Sequence, residues 1–136
     1  MNRTAIIVLV VAVGSMGAGE PKDKFTEYFE KLGAIGPRYR NCGRVTIDGN
    51  REQADACVLE AFAAKKAFLV RYDKLGIDSN VADGLMFSAD KQLTVVHFDD
   101  WFCSTPYCLR FEPCNSAKIT RAREGIHVQC INEYDL

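Results

Sequence analysis

The sequence has almost no net charge. Its 136 residues carry 17 lysines and arginines against 18 aspartates and glutamates, for a formal charge of −1. A near-neutral chain exerts no long-range pull on nucleic acid or on anionic membranes, so neither is an expected partner. The nearest approach to a basic cluster, Lys118, Arg121 and Arg123, has Glu124 beside it and reads as a solvated hairpin tip.

Long apolar runs are scarce as well. The longest, residues 5–13, is far short of the ~20 apolar residues that span a bilayer core, so a cleaved leader is expected in preference to a permanent anchor. It follows the short basic start Met1-Asn2-Arg3 and precedes the small residues Gly14, Ser15, Gly17, Ala18 and Gly19. That order is the pattern of a secretory signal peptide, expected over residues 1–19 and cleaved between Gly17 and Glu20. It contains no cysteine for lipoprotein attachment, and its loss leaves 16 basic against 18 acidic residues.

Several chemical signatures are missing too. There is no Gly-x-Ser-x-Gly elbow, and no Cys-x2-Cys pair of the kind structural zinc sites favour. The segment from Asp78 begins like a calcium loop, but Ala82, Asp83 and Ala89 stand where such a loop needs an acid or amide, a glycine and a glutamate. Asx side chains closing a turn account for it better. Repeats and low-complexity tracts are also absent. Cys103-x4-Cys108-x5-Cys114 is the one spacing that could bind a metal, but an exported chain favours disulfides there, so neither a metal nor another cofactor is expected.

What the chain does have is six cysteines, Cys42, Cys57, Cys103, Cys108, Cys114 and Cys130, all beyond the leader. An even count behind a signal peptide reads as disulfides. Sequence alone does not choose the pairing, but position suggests one. Cys42 leads into the helix that carries Cys57, Cys114 and Cys130 flank a hairpin, and Pro106 turns the chain between Cys103 and Cys108. Closing a loop of about 15 residues contributes on the order of 3 kcal/mol in the chain-entropy model.

The clearest pattern lies in residues 50–98. Ala54, Cys57, Val58, Ala61 and Phe62 recur at helical spacing and predict a long helix over residues 50–66. Asp48-Gly49 turns into it, Asn50 caps it, and Gln53 stands where a capping box needs it. Alternating runs then predict strands over residues 67–72, 81–87 and 92–98, with a hairpin of 117–120 and 126–130. Upstream, a short helix over residues 21–32 presents Phe25, Tyr28, Phe29 and Leu32, and residues 44–47 form a brief strand. Residues 99–113 read as a loop.

Symmetric turns put Phe68, Val70 and Tyr72 on one face with Val81, Asp83 and Leu85, and with Leu93, Val95 and His97. Gly84 falls between Leu69 and Val96 on the other face, where a missing side chain admits a close neighbour. The expected fold is α+β, a single domain over residues 20–136. It has one antiparallel sheet of about four to five strands packed against one long helix, with a short N-terminal helix and disulfide staples. This element order is similar to that of cystatin-like folds, which implies no function.

Two groups of residues are candidate sites. His97 with Asp83 opposite it is half of a hydrolytic site, but no nucleophile is legible beside the pair, so an ion pair is the simpler reading. Asp99 and Asp100, adjacent on an extended chain, point apart and suit a strand-ending turn better than paired acids. The second group, Trp101, Phe102, Tyr107 and Phe111, interleaves with Cys103 and Cys108, and aromatic side chains held by a disulfide lose little entropy on docking. Closing one end of the core is the alternative role for Trp101 and Phe102.

Cys42-Gly43, Ala56-Cys57-Val58, Ala67-Phe68 and Gly76-Ile77-Asp78-Ser79, in that order, resemble small exported bacterial proteins of uncharacterised function. The resemblance covers the middle third of the chain and implies a periplasmic or extracellular location without implying an activity. The expectation is therefore an exported binding domain for a protein or cell-envelope component, with a small hydrolase using His97 and Asp83 as the alternative.

Overall fold

The computed structural model describes residues 22–34, 38–103 and 108–130, so the expected leader lies outside it. The elements are α1 (Lys24–Ala34), β1 (Arg40–Val45), α2 (Glu52–Ala63), β2 (Phe68–Lys74), β3 (Val81–Phe87), β4 (Leu93–Asp99), β5 (Leu109–Cys114), β6 (Ala117–Ala122) and β7 (Gly125–Cys130). A short 3-10 turn, Asp100–Phe102, follows β4. β1 to β5 form one sheet in sequence order, and β6 with β7 forms a second.

This arrangement corrects the expected fold class. Instead of one long helix on a single antiparallel sheet there are two short helices, of 11 and 12 residues, and two sheets. The larger sheet is mixed, because β1 runs parallel to β2 with α2 as the crossover between them. β1 begins at Arg40 and not at Arg44. Its burial explains why it resists reading: Cys42 and Val45, three residues apart, are both buried. A regular strand would turn them to opposite faces. The register shifts between Asn41 and Arg44, with Gly43 at φ +94° in the left-handed region that glycine tolerates.

β5 is a further correction, since Leu109–Cys114 pairs with β4 where a loop was expected. Pro113 disguises it, but the strand lies at the sheet edge, where a missing amide donor is tolerated. Within the sheet, β3 and β4 pair as expected, Asp83 opposite His97 and Gly84 opposite Val96. Between β2 and β3 the register differs by two residues, so Gly84 lies beside Arg71 and not Leu69. The strand continues through Lys74, and a shift of two preserves every face assignment.

α2 starts at Glu52. Asn50 accepts from the Glu52 amide at 2.8 Å, but the cap position is Arg51 and makes no side-chain cap bond, so the capping box at Gln53 does not form. α2 buries Ala54, Asp55, Val58 and Ala61 on the Phe68, Val70, Leu85, Phe87 and Leu93 face of the sheet. The β6–β7 sheet covers the same face through Ile119, with Ile126 and Val128 partly buried. Disulfides Cys42–Cys57 and Cys114–Cys130, the first two pairings expected, tie β1 to α2 and β5 to β7.

α1 covers the opposite face. Asp23 caps it, accepting from the Thr26 amide at 2.8 Å, which is why it starts at Lys24. Phe25 is fully buried against Ala82, Val96 and Phe98. Gly84 makes that possible: a Cβ there would stand 2.5 Å from the Phe25 ring and 3.0 Å from that of Phe29. Arg71 points to this face and is almost wholly buried, yet satisfied. Its Nη1 and Nη2 donate to the two Asp23 oxygens at 2.7 and 2.6 Å, and its Nε donates to Asp73 at 2.6 Å.

Two predictions follow from the α1 face. Gly84→Ala should cost about 1–3 kcal/mol in urea unfolding, because the buried phenyl rings must shift; an unchanged midpoint would contradict this packing. For Asp23, burial alone would raise the carboxyl, but the Arg71 bonds and the Thr26 amide and hydroxyl outweigh it and hold the carboxyl well below its usual range. A depressed folded pKa contributes stability in full above about pH 4, and loses it as pH falls through the folded value. Urea midpoints measured from pH 7 down to pH 2 should therefore fall less steeply in Asp23→Asn than in wild type, from a lower start.

Candidate functional site

β1, β2 and β4 run in one direction and β3 and β5 in the other, so the connections after β1, β2 and β4 all emerge at one end of the sheet. Five large apolar side chains stand notably exposed among the described residues, and four of them are on these connections: Ile47 (56%), Leu75 (84%), Ile77 (98%) and Trp101 (65%). Scattered exposed apolar residues are ordinary, but a group of this kind on adjoining loops is a candidate contact surface.

Local bonding holds the Trp101 loop against the Leu75 and Ile77 loop. The Asp99 carboxylate accepts from the Trp101 amide at 3.0 Å and caps the 3-10 turn. Asp100 accepts from the Asn80 amide at 2.8 Å and from its side-chain nitrogen at 2.5 Å, and the Asp100 amide donates to the Asn80 carbonyl at 3.1 Å. Asp99 and Asp100 are thus the strand-ending turn expected from sequence. Asp48, Asp78 and Lys74 are exposed at the same end, so the apolar tips have a charged border of mixed sign.

The aromatic residues singled out in the sequence do not all join this group. Trp101 does. Phe111 lies on β5 opposite Val96, and its ring meets Tyr28 of α1 edge-on at 5.1 Å. Tyr107 and the side chain of Phe102 lie outside the described residues. Ile47, Leu75 and Ile77 were not legible as site residues. The available signal was apolar residues inside turn sequences, Leu75-Gly76-Ile77-Asp78 above all, where burial is not expected.

His97 and Asp83 do meet, with Nδ1 2.6 Å from the Asp83 carboxylate. The other ring nitrogen, Nε2, lies 3.2 Å from Glu112, and Lys74 also pairs with Asp83. Both nitrogens of His97 therefore face carboxylates, and neither is left to take a proton from a nucleophile. The row is an ion-pair ladder across strands, extended by Arg110 bonding Glu112 at 3.0 Å. This geometry does not favour the hydrolytic alternative.

Cys103 and Cys108 are thiols, so the third expected disulfide is not formed. They sit beside Lys24, Tyr28 and Lys31 of α1, with the two sulfurs in hydrogen-bond contact. Burial, then the hydrogen bond and charge of Cys108, push the Cys103 thiol up to about 12. Such a thiol stays protonated at neutral pH and is a weak nucleophile. Among the described residues no group of three or more His, Cys, Asp or Glu side chains could hold a metal ion. Iodoacetamide at pH 8 should accordingly alkylate Cys103 at least ~10-fold more slowly than free cysteine, with both thiols reacting once the chain is unfolded. Rapid labelling of the native protein would contradict this environment.

The two disulfides indicate an oxidising, exported location. Among the described residues no helix is long and apolar enough to cross a membrane. No family model, curated protein or solved structure matches the chain.

Proposed function

We propose that this protein is a small exported binding domain, working in the periplasm or outside the cell, that holds a protein or cell-envelope partner against the loop end of its sheet. The observation that carries this reading is the grouping of Ile47, Leu75, Ile77 and Trp101 at that end, with the Leu75 and Ile77 loop bound to the Trp101 turn through Asn80 and Asp100. Burying each such side chain on binding is worth about 1.5–3 kcal/mol, enough for a few of them to dominate an interface. Trp101, the largest of the four, is the natural anchor.

The surface can be tested by placing a photocrosslinking residue at position 77, with a control at position 118 on the β6–β7 sheet, and exposing both to native envelope material. A partner captured at 77 and not at 118 would then be purified and titrated. Trp101→Ala should weaken its binding by ~30-fold or more, the size of an interface hot spot, without shifting the unfolding midpoint. Equal capture at both positions, or binding unchanged in Trp101→Ala and in the Leu75→Ser, Ile77→Ser double variant, would overturn the proposal.

A further inference from the structure

A second feature, which shares Ile47 with the exposed loop tips but none of Leu75, Ile77 or Trp101, is a cleft of about 610 Å³ on the α2 face of the sheet. The apolar cover provided by α2 and the β6–β7 sheet does not reach the end of this face. Leu85 and Val95 form the floor there, Val45 borders one side, and Ile126 and Val128 of β7 form the opposite wall. The volume falls in the range of small-molecule sites, about 300–1,000 Å³.

The charged groups around it are unevenly satisfied. Its carboxylates are already partnered: Asp83 is bonded by Lys74 and His97, and Asp73, which borders the cleft but turns its carboxylate to the α1 face, by Arg71 and Arg44. The cations are less fully used. Arg51 has one close acceptor, Asp55 at 2.8 Å from Nε, with a long second contact of 3.4 Å from Nη2. Lys74 has Asp83 alone among its ion pairs, and its side chain is 54% exposed. The Tyr72 hydroxyl donates to Asp55 at 2.7 Å, and His127 is exposed at the mouth. The acceptors are thus consumed within the protein, while donors remain on Arg51 and Lys74 beside an apolar floor.

From this we infer that the cleft binds a small amphipathic anion, with its hydrocarbon part on Leu85, Val95 and Val128 and its carboxylate or similar head on Lys74 and Arg51. Apolar area supplies most of the affinity, and charge-assisted bonds to the head select it over a neutral or cationic molecule of the same length.

The test uses the full secreted protein with three probes of equal chain length: decanoate, 1-decanol and decyltrimethylammonium. Binding is followed by methyl chemical shifts and by calorimetry below the probes' aggregation concentrations. Decanoate should saturate with a Kd below ~1 mM and bind roughly 10-fold or more tightly than either other probe, shifting the Leu85, Val95 and Val128 methyls. Lys74→Gln, at an exposed position that leaves Asp83 bonded by His97, should remove most of that preference and keep the same methyl shifts. Three outcomes would each overturn the inference. These are no saturable decanoate binding, equal binding of all three probes, or shifts confined to the loop tips. The last would mark the contact surface as the apolar site and leave the proposed partner binding untouched.

Discussion

Two adjacent residues of β2 hold the layers together. Arg71 and Tyr72 point to opposite faces of the sheet, and each meets an aspartate on the helix side. Arg71 is bonded bidentately by Asp23, the capping residue of α1, and its guanidinium lies 4.8 Å from the Phe25 ring centre. The Tyr72 hydroxyl donates to Asp55 of α2, itself bonded by Arg51, and that guanidinium lies 4.8 Å above the Tyr72 ring. Burial, then the bond to Asp55, push the Tyr72 hydroxyl well above its ordinary value. Buried charges contribute little net stability against apolar replacements, but removing one partner strands the other at a cost of about 3–5 kcal/mol. Such contacts choose among arrangements. A helix shifted by one turn on either face would leave Arg71 or Asp55 buried without its partner.

This fixed frame has a consequence for the loop end. With three layers clamped at β2 and closed by two disulfides, the connections after β1, β2 and β4 project from a rigid base. Trp101, Leu75 and Ile77 are left in water there, which is the exposure the proposed partner would cover. The polar group of Asp83, His97 and Glu112 begins where the helix and hairpin cover ends. It reads as the solvated continuation of the core face, with ion pairs replacing apolar contacts once water can reach the strands.

Much of this was legible locally. Helical spacing located both helices to within a few residues, and alternation located β2, β3, β4 and the final hairpin. The parity of that alternation put Asp83 opposite His97 and turned Gly84 toward a close neighbour, which proved to be Phe25 and Phe29. The less visible elements share a physical cause. β1 hides because its bulge breaks the period of two, and β5 because a proline is tolerated at an edge that only the sheet defines. Arg71 sat unnoticed in an apolar run, since nothing nearby in sequence indicates that a carboxylate 48 residues away will satisfy it.

By itself, then, the sequence determined the local pieces: which segments coil or extend and which side chains share a face, and it pointed to two cysteine pairings that form, Cys42 with Cys57 and Cys114 with Cys130, along with one, Cys103 with Cys108, that does not. These follow from backbone periodicity and short loop closure, both properties of contiguous residues. Only the tertiary structure decided that β1 lies parallel to β2, that the last hairpin forms its own sheet, and that Ile47, Leu75, Ile77 and Trp101 meet at one end. Those outcomes depend on strand direction and on pairing between distant segments, whose energies arise only when the layers are in contact.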